Sequence, residues 1–415
     1  MSLTFREIPA ALANRRMTAM LLLGFASGLP LALSGGTLQA WLATTSVTIE
    51  TIGIFSLVGL PYTVKFIWSP IMDRFVPPYL GRRRGWILLT QLVLIVLLLV
   101  LGRSSPEEAI WFVGVAALLL AFFSASQDIA IDAYRADVLR PEERGIGAGL
   151  SVTGYRIAML ASGGLALVMA DFLGWSAMYS IMAGLLLIGV VATCFGPEPE
   201  VRAVPPISLQ EAVIAPFSEF LSRDKAVLIL MLIILYKLGD AFAGTLTTTF
   251  LLRGLDFTLS EVGVINKWLG LLATIFGGLA GGAMMMRWGL YRCLLWFGLL
   301  QAVTNLGFML LAIVGKSYIG MIIVIGMENL AGGMGTAVFV GLLISLCNHR
   351  FTATQYALLS ALAAIGRVFV GPPSGYLVEA TGWAPFFFVT FLVSLPGILL
   401  LVYLKRTVQS YEKTE

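Results

Sequence analysis

Residues 81–102 read Gly81-Arg82-Arg83-Arg84-Gly85 and then WILLTQLVLIVLLLVLG, seventeen residues without a charge, before Arg103 closes the run. At about 1.5 Å of helical rise per residue, such a run covers most of the ~30 Å hydrocarbon layer of a bilayer. Backbone groups find no water there, so the run has to be a helix, here a span from about 86 to 103 entered from its basic end. Working outward, comparable apolar stretches recur at approximately 17 to 43, 51 to 73, 109 to 133, 146 to 171 and 175 to 196. They continue at 225 to 252, 260 to 286, 290 to 314, 318 to 346, 355 to 379 and 384 to 404. Twelve spans predict an all-α membrane protein. Composition agrees: 58% hydrophobic and 12% charged residues leave too little charge to solvate a soluble globule of 415 residues. Arg15 and Arg16 lead straight into the first run with no cleavage site between, so the first span is expected to be retained.

The 27 Lys and Arg orient the spans. With the N-terminus cytoplasmic, nineteen lie in inside segments, Arg103, Arg253 and Lys316 lie in outside loops, and Lys65, Arg156, Lys237, Lys267 and Arg367 fall within spans. Nineteen against three predicts both termini inside. The net charge of +4 is explained by this topology, and no basic stripe interleaved with aromatics points to nucleic acid. Cys194, Cys293 and Cys347 are far apart and suggest neither a disulfide framework nor a metal site.

The longest polar interval runs from Gly196 to Arg223, where Pro197, Pro199, Pro205 and Pro206 prevent continuous helix. It divides a six-helix bundle over 1–196 from another over 225–415, with 197–224 as a cytoplasmic linker. The halves echo one another: Gly163, Gly174 and Trp175 recur 208 residues later as Gly371, Gly382 and Trp383, the mark of a parallel duplication.

The loop after the second span reads Ser69-Pro70-Ile71-Met72-Asp73-Arg74-Phe75, then the arginine turn. An acid at a helix end followed by a basic turn is similar to the signature loop of the major facilitator superfamily. That resemblance implies a charge latch of Asp73 with Arg74, Arg82, Arg83 and Arg84 that braces one closed state; the other reading is a basic cluster that merely holds the loop in the cytoplasm. Met286-Arg287-Trp288-Gly289-Leu290-Tyr291-Arg292 is a degenerate copy in the second half.

Several stretches together resemble the AmpG-type muropeptide permeases. They are Gly24-Phe25-Ala26-Ser27-Gly28-Leu29-Pro30-Leu31-Ala32-Leu33, Gly36-Thr37-Leu38-Gln39-Ala40-Trp41, Ser56-Leu57-Val58-Gly59 and Lys65-Phe66-Ile67-Trp68-Ser69-Pro70. Ser124-Ala125-Ser126-Gln127-Asp128-Ile129-Ala130-Ile131-Asp132-Ala133 and Gly154-Tyr155-Arg156 complete the set. The match is densest between residue 20 and about 180. Some members extend beyond twelve helices, whereas this chain stops soon after Lys405 and Arg406.

Asp128 and Asp132, four apart, share a face of the fourth helix. Desolvated, two such carboxyls resist ionising together, so the pair is suited to taking up and releasing a proton. Asp132 alternatively pairs with Arg135. Glu328 in the tenth span is a further candidate, and His349 sits in a loop away from any relay. The five cations inside spans are costly in hydrocarbon and suggest an anionic ligand. Lys65 and Arg156 either bind substrate carboxylates or hold Asp128 ionised, and Lys237 is expected to neutralise itself on Asp240. Lys267 and Arg367 are expected to face a cavity or a partner acid, with snorkelling the alternative their distance from the helix ends disfavours. Gln39 and Gln127 suit the hydroxyl and acetamido groups of sugars, or else interhelical hydrogen bonds, and Tyr155 either stacks on a sugar or serves as an interface anchor near a span end. Gly371-Pro372-Pro373-Ser374-Gly375 breaks the eleventh helix, as a packing kink or a hinge.

The resemblance implies a proton symporter that brings N-acetylglucosaminyl-anhydro-N-acetylmuramyl peptides from the periplasm into the cytoplasm by alternating access in the inner membrane. Such a carrier needs no cofactor beyond the proton gradient, no metal and no oligomer; its partners are cargo, protons and membrane lipid. The same chemistry suits another organic anion, such as an acyl-coenzyme A or a siderophore. A membrane-embedded enzyme is disfavoured, because the sequence offers no metal-ligand spacing, no nucleophile with its base and no phosphate-cradling loop.

Overall fold

The computed structural model describes residues 14–69, 72, 75–139, 144–197, 215–346 and 352–412, and within them it is all helix. Ten helices are long and apolar enough to cross a membrane. In chain order with their shorter companions, the helices are α1 (Arg15–Ala43), α2 (Ile49–Val64), α3 (Gly81–Gly102), α4 (Ile110–Arg135), α5 (Leu150–Leu173), α6 (Trp175–Phe195) and α7 (Ala226–Gly254). There follow α8 (Leu259–Met285), α9 (Leu290–Val314), α10 (Tyr318–Ser345), α11 (Thr352–Phe369), α12 (Gly371–Thr381) and α13 (Trp383–Tyr403). Their outward faces carry large apolar side chains such as Trp111, Phe172 and Val314, which is expected where lipid replaces water.

Two expected spans are too fragmented to form one long helix. The second, expected over 51 to 73, is built in pieces: a helix to Ile54, a tighter turn over Phe55–Gly59, a second helix Leu60–Val64 and another tight turn Lys65–Ile67. Gly53 and Gly59 lower helix propensity, and Pro61 removes a backbone donor. The eleventh breaks at Val370, between α11 and α12, where Gly371-Pro372-Pro373 begins a new helix with proline in its first turn. α1 also breaks, at Gly35, and α7 breaks at Lys237, between Tyr236 and Leu238. Wider turns interrupt α5 over Leu160–Leu165, α7 over Phe250–Gly254 and α8 over Gly263–Leu269.

The helices form two compact units, residues 1–46 with 58–205 and residues 47–57 with 206–415. In the first, α1 lies directly on α5: a Cβ at Gly24 would strike the Ser151 carbonyl and one at Gly154 the Leu21 carbonyl. Met20, Leu23, Ile87, Ile131 and Tyr134 fill its core beside them. In the second, α8 and α10 meet in the same manner through Gly277 and Gly333, and Ile229, Leu232, Leu294, Phe297 and Val338 pack the interior. Small residues at such crossings let backbones approach closely, which is how helices gain contact where no hydrophobic force separates them from lipid. Residues 47–57 join the second unit through Ile49 N–H, which donates to Glu379 Oε1 at 3.0 Å, and Ser56 Oγ, which donates to the Val368 carbonyl at 2.8 Å.

The internal repeat has a backbone counterpart. Gly174 and Gly382 both adopt φ of +81° in the turn that starts the next helix, and Gly81 and Gly289 take φ of +72° and +78°. Each pair is separated by 208 residues, 382 − 174 and 289 − 81. Only glycine holds such angles without strain, so the repeat is written in backbone geometry as well as in sequence.

Candidate functional site

In the first unit, Asp128 is the centre of a polar cluster inside the span layer. α1 supplies Ser27, whose Oγ donates to Asp128 Oδ1 at 2.5 Å. The tight turn after α2 supplies Lys65, whose Nζ lies 3.9 Å from Asp128 Oδ2; the side chains are 34% and 15% exposed. The turn is steadied by Trp68, whose indole N–H donates to Ser126 Oγ at 3.0 Å while its ring packs against Phe122. A carboxylate with one close hydroxyl donor and one cation at the edge of ion-pair distance is satisfied as an anion, yet its hold on the cation is loose, so the cation can be exchanged.

The structure sorts the two acids differently. Asp132, one turn further on, is 56% exposed and pairs with Arg135 Nη2 at 2.9 Å. Gln127 is fully buried and donates Nε2 to the Ala26 carbonyl at 2.8 Å, tying α4 to α1. Gln39 and Tyr155 are half-buried and Arg156 is exposed.

In the second unit, Lys237 sits at the break in α7. Its Nζ reaches Asp240 Oδ2 at 3.3 Å, Gln301 Oε1 at 3.3 Å and Thr336 Oγ1 at 3.2 Å, so the expected self-neutralising pair is drawn into a wider net. Lys267 lies in the wide turn of α8 and donates to Thr248 Oγ1 at 3.3 Å; among the described residues no carboxylate lies within ion-pair distance of it. Glu328, half-buried on α10, accepts from Asn329 Nδ2 at 2.7 Å, and Asn329 is itself tied to Thr274 on α8. Arg367 lies in α11, with its side chain outside the described residues.

Of the basic loop, Asp73 and Arg74 lie outside the described residues. Arg83 Nε donates to Asp137 Oδ2 at 2.7 Å and Arg84 Nη1 to the Gly196 carbonyl at 2.9 Å, fastening the start of α3 to the ends of α4 and α6. Asp137 was not among the expected acids, although its place two residues past the end of α4 marks it as a partner for the arginine turn. Ser27 was also missed: it stands within a quoted motif, but a lone serine in an apolar helix carries no sign of which neighbour it meets. Among the described residues no group of three or more His, Cys, Asp or Glu could hold a metal ion. A cavity of about 500 Å³ between α9 and α10 is lined by apolar side chains, and its Thr304 and Ser317 hydroxyls are already spent on the Gln301 carbonyl and the Gly320 N–H, so it offers a polar cargo nothing.

The sequence model of the Major Facilitator Superfamily matches residues 20–354. The chain is a major facilitator of the anhydromuropeptide-permease family. It is 53% identical over 395 residues to the anhydromuropeptide permease of Escherichia coli (strain K12), covering 95% of this chain and 80% of that relative. An uncharacterized protein of Haemophilus influenzae is 36% identical over 98% of this chain and 99% of its own length. Among solved structures, a POT family transporter in complex with a thioalcohol-conjugated peptide superposes with a TM-score of 0.74 at 13% identity, covering 94% of this chain and 96% of that one. A bacterial homologue of the human lysosomal transporter Spinster gives 0.70 at 13% identity, over 99% of both chains. At such identities the structures speak to fold alone. This major facilitator is a multi-pass inner-membrane transporter and not an enzyme, and its family works without a resident cofactor.

Proposed function

We propose that this major facilitator imports anhydromuropeptides from the periplasm by proton symport, with Asp128 as the proton site. Its relatives supply the cargo class, and the cargo's stem-peptide carboxylates and acetamido sugars suit a protein with several cations and amides inside its spans. The observation that carries the coupling is the cluster of Lys65, Asp128 and Ser27.

The mechanism follows from charge balance. While Asp128 is ionised, Lys65 has its counter-ion. Protonation of Asp128 removes that counter-ion, and a lysine left alone in a low-dielectric span gains from a carboxylate brought by cargo. Cargo and proton then occupy the site together, and loss of the proton returns Lys65 to Asp128 and expels the cargo. Lys267, whose ammonium meets a hydroxyl rather than an acid, is a second group suited to a cargo carboxylate, with Arg156, Arg367, Gln39, Gln127 and Tyr155 as further candidates. Glu328 and Asp132 are secondary proton sites in this scheme. Alternating access would rock two six-helix bundles, 1–196 and 225–415 joined by 197–224, with twelve spans and both termini in the cytoplasm. The latch of Asp73 with the arginine cluster would brace one closed state, and Arg83 with Asp137 supports a bracing role for this loop.

The test is uptake of labelled anhydromuropeptide into proteoliposomes with and without an inward proton gradient. Accumulation that requires the gradient supports the reading. Uptake that ignores the gradient removes the symport, and no uptake of this cargo alongside uptake of another organic anion removes the cargo.

A further inference from the structure

Three buried polar atoms beside Asp128 have unmet hydrogen bonds: Tyr62 Oη, Ser124 Oγ and Gln127 Oε1. Ser124, Gln127 and Asp128 stand at i, i+3 and i+4 on one face of α4, and Ser124 and Gln127 are fully buried. Tyr62 comes from α2, three residues before Lys65, and its hydroxyl faces those of Ser124 and Ser34 without a hydrogen bond of ordinary geometry to either. Ser34, from the last turn of α1 before its break at Gly35, spends its own proton on the Pro30 carbonyl at 3.1 Å and keeps lone pairs to accept with. Leaving a buried polar atom unsatisfied is costly, so several in one place mark a position where water bridges them.

We propose that the hydroxyls of Tyr62 and Ser124, bridged by water, form the relay that carries the proton between the Ser34 side of the first unit and Asp128. The inference rests on the symport reading above and adds its route. Ser124 lies one helical turn, about 5–6 Å, from Asp128, a gap that a single water closes. Hydroxyls both donate and accept, so each can take a proton on its oxygen and hand on the one it held. Every O–H that breaks is replaced by one that forms, and the net change is one proton gained by the Asp128 carboxylate, which becomes a neutral acid. Among the described residues, the titratable and charged groups that face Asp128 are Tyr62 from α2, Lys65 from the turn after it, Asp132 from its own helix and Tyr155 from α5, while α1 brings the Ser27 hydroxyl. Ser27 is committed to Asp128 itself, which leaves Tyr62 and Ser124 as the hydroxyls with capacity to spare.

The experiment compares the native chain with Tyr62→Phe and Ser124→Ala in proteoliposomes, by two rates. One is gradient-driven accumulation of labelled anhydromuropeptide; the other is exchange of labelled for unlabelled cargo at equal pH, which needs no net proton transfer. The relay predicts that gradient-driven uptake falls about tenfold or more in Tyr62→Phe while exchange stays within about twofold of native. Tyr62→Phe keeps the ring and so keeps the packing; matched melting temperatures confirm that the fold is intact. Gradient-driven uptake at the native rate in both variants overturns the relay. An equal fall in both rates also overturns it, because the hydroxyls would then serve packing or cargo. Native uptake indifferent to the gradient removes the symport reading and the relay with it, an outcome distinct from the other two.

Discussion

At the residue scale the determining fact is that Asp128 has two partners of unequal firmness, a hydroxyl at 2.5 Å and an ammonium at 3.9 Å. Asp128→Asn keeps the shape and a hydrogen-bonding group but cannot ionise. Lys65 is then permanently without its counter-ion, so cargo binding is expected to persist while accumulation against a gradient is lost. Binding by calorimetry alongside gradient-driven uptake checks the split; loss of both would show that Asp128 serves the fold instead. Ser27→Ala removes a hydrogen bond to a charged group, of about 1.5–3 kcal/mol, and is expected to slow gradient-driven uptake while exchange of cargo at equal pH stays near native. Gradient-driven uptake at the native rate would place the Ser27 contact outside the coupling cycle. The sequence showed part of this cluster and hid the rest. Acids four apart on an apolar helix are visible in a string of letters, and so is a lysine within a span. That Asp128 turns to Lys65 while Asp132 turns to Arg135 depends on how α1, α2 and α4 rotate against each other, and periodicity in a single helix does not fix that rotation. Ser27 and Tyr62 stayed hidden for the same reason.

At the element scale, glycine does two separate jobs that one substitution each can separate. Gly154 lies against the Leu21 carbonyl with no room for a methyl group, so Gly154→Ala forces α1 and α5 apart. The expected cost is about 1–3 kcal/mol of overpacking, read as a lower melting temperature in detergent. Gly382 has open space where a Cβ would stand but holds φ of +81°. Gly382→Ala therefore strains the backbone alone, by about 1–3 kcal/mol, and restoring Gly154 in the double variant should recover only the overpacking loss and leave this strain in place. Additive losses in the double variant are expected, because the two sites lie in separate compact units. The long apolar helices were legible because their length and lack of charge have no soluble explanation. The wide turns in α5, α7 and α8 were not, since a one-residue bulge leaves composition and hydropathy unchanged. Nor was the break at Lys237, an ordinary helix-forming residue whose contacts with Asp240, Gln301 and Thr336 come from the tertiary fold.

At the scale of the whole molecule, topology turns on the two fragmented segments. Arg15 and Arg16 begin α1, and Arg82, Arg83 and Arg84 lie in the first turn of α3. Both basic groups stay on the cytoplasmic side only if α2 crosses the membrane despite its broken helix, because a chain that leaves by α1 must return before α3 starts. The same parity applies to α11 and α12 together, which must cross once if the basic residues after α13 are to lie on the side of the N-terminus. The expected result is twelve crossings from ten long helices and two interrupted ones. Single-cysteine variants in a background lacking Cys194, Cys293 and Cys347 test it with a membrane-impermeant maleimide on intact cells stripped of their outer wall. Glu108→Cys, in the turn between α3 and α4, should label from outside. Tyr79→Cys, exposed just before α3, and Ser410→Cys, exposed after α13, should label only after the membrane is opened. Labelling of Tyr79→Cys from outside would mean that α2 does not cross and that the arginine turn faces the periplasm. Lys65 would then not be carried across by a spanning segment, and a proton site that alternates between the two sides could not be built from it and Asp128.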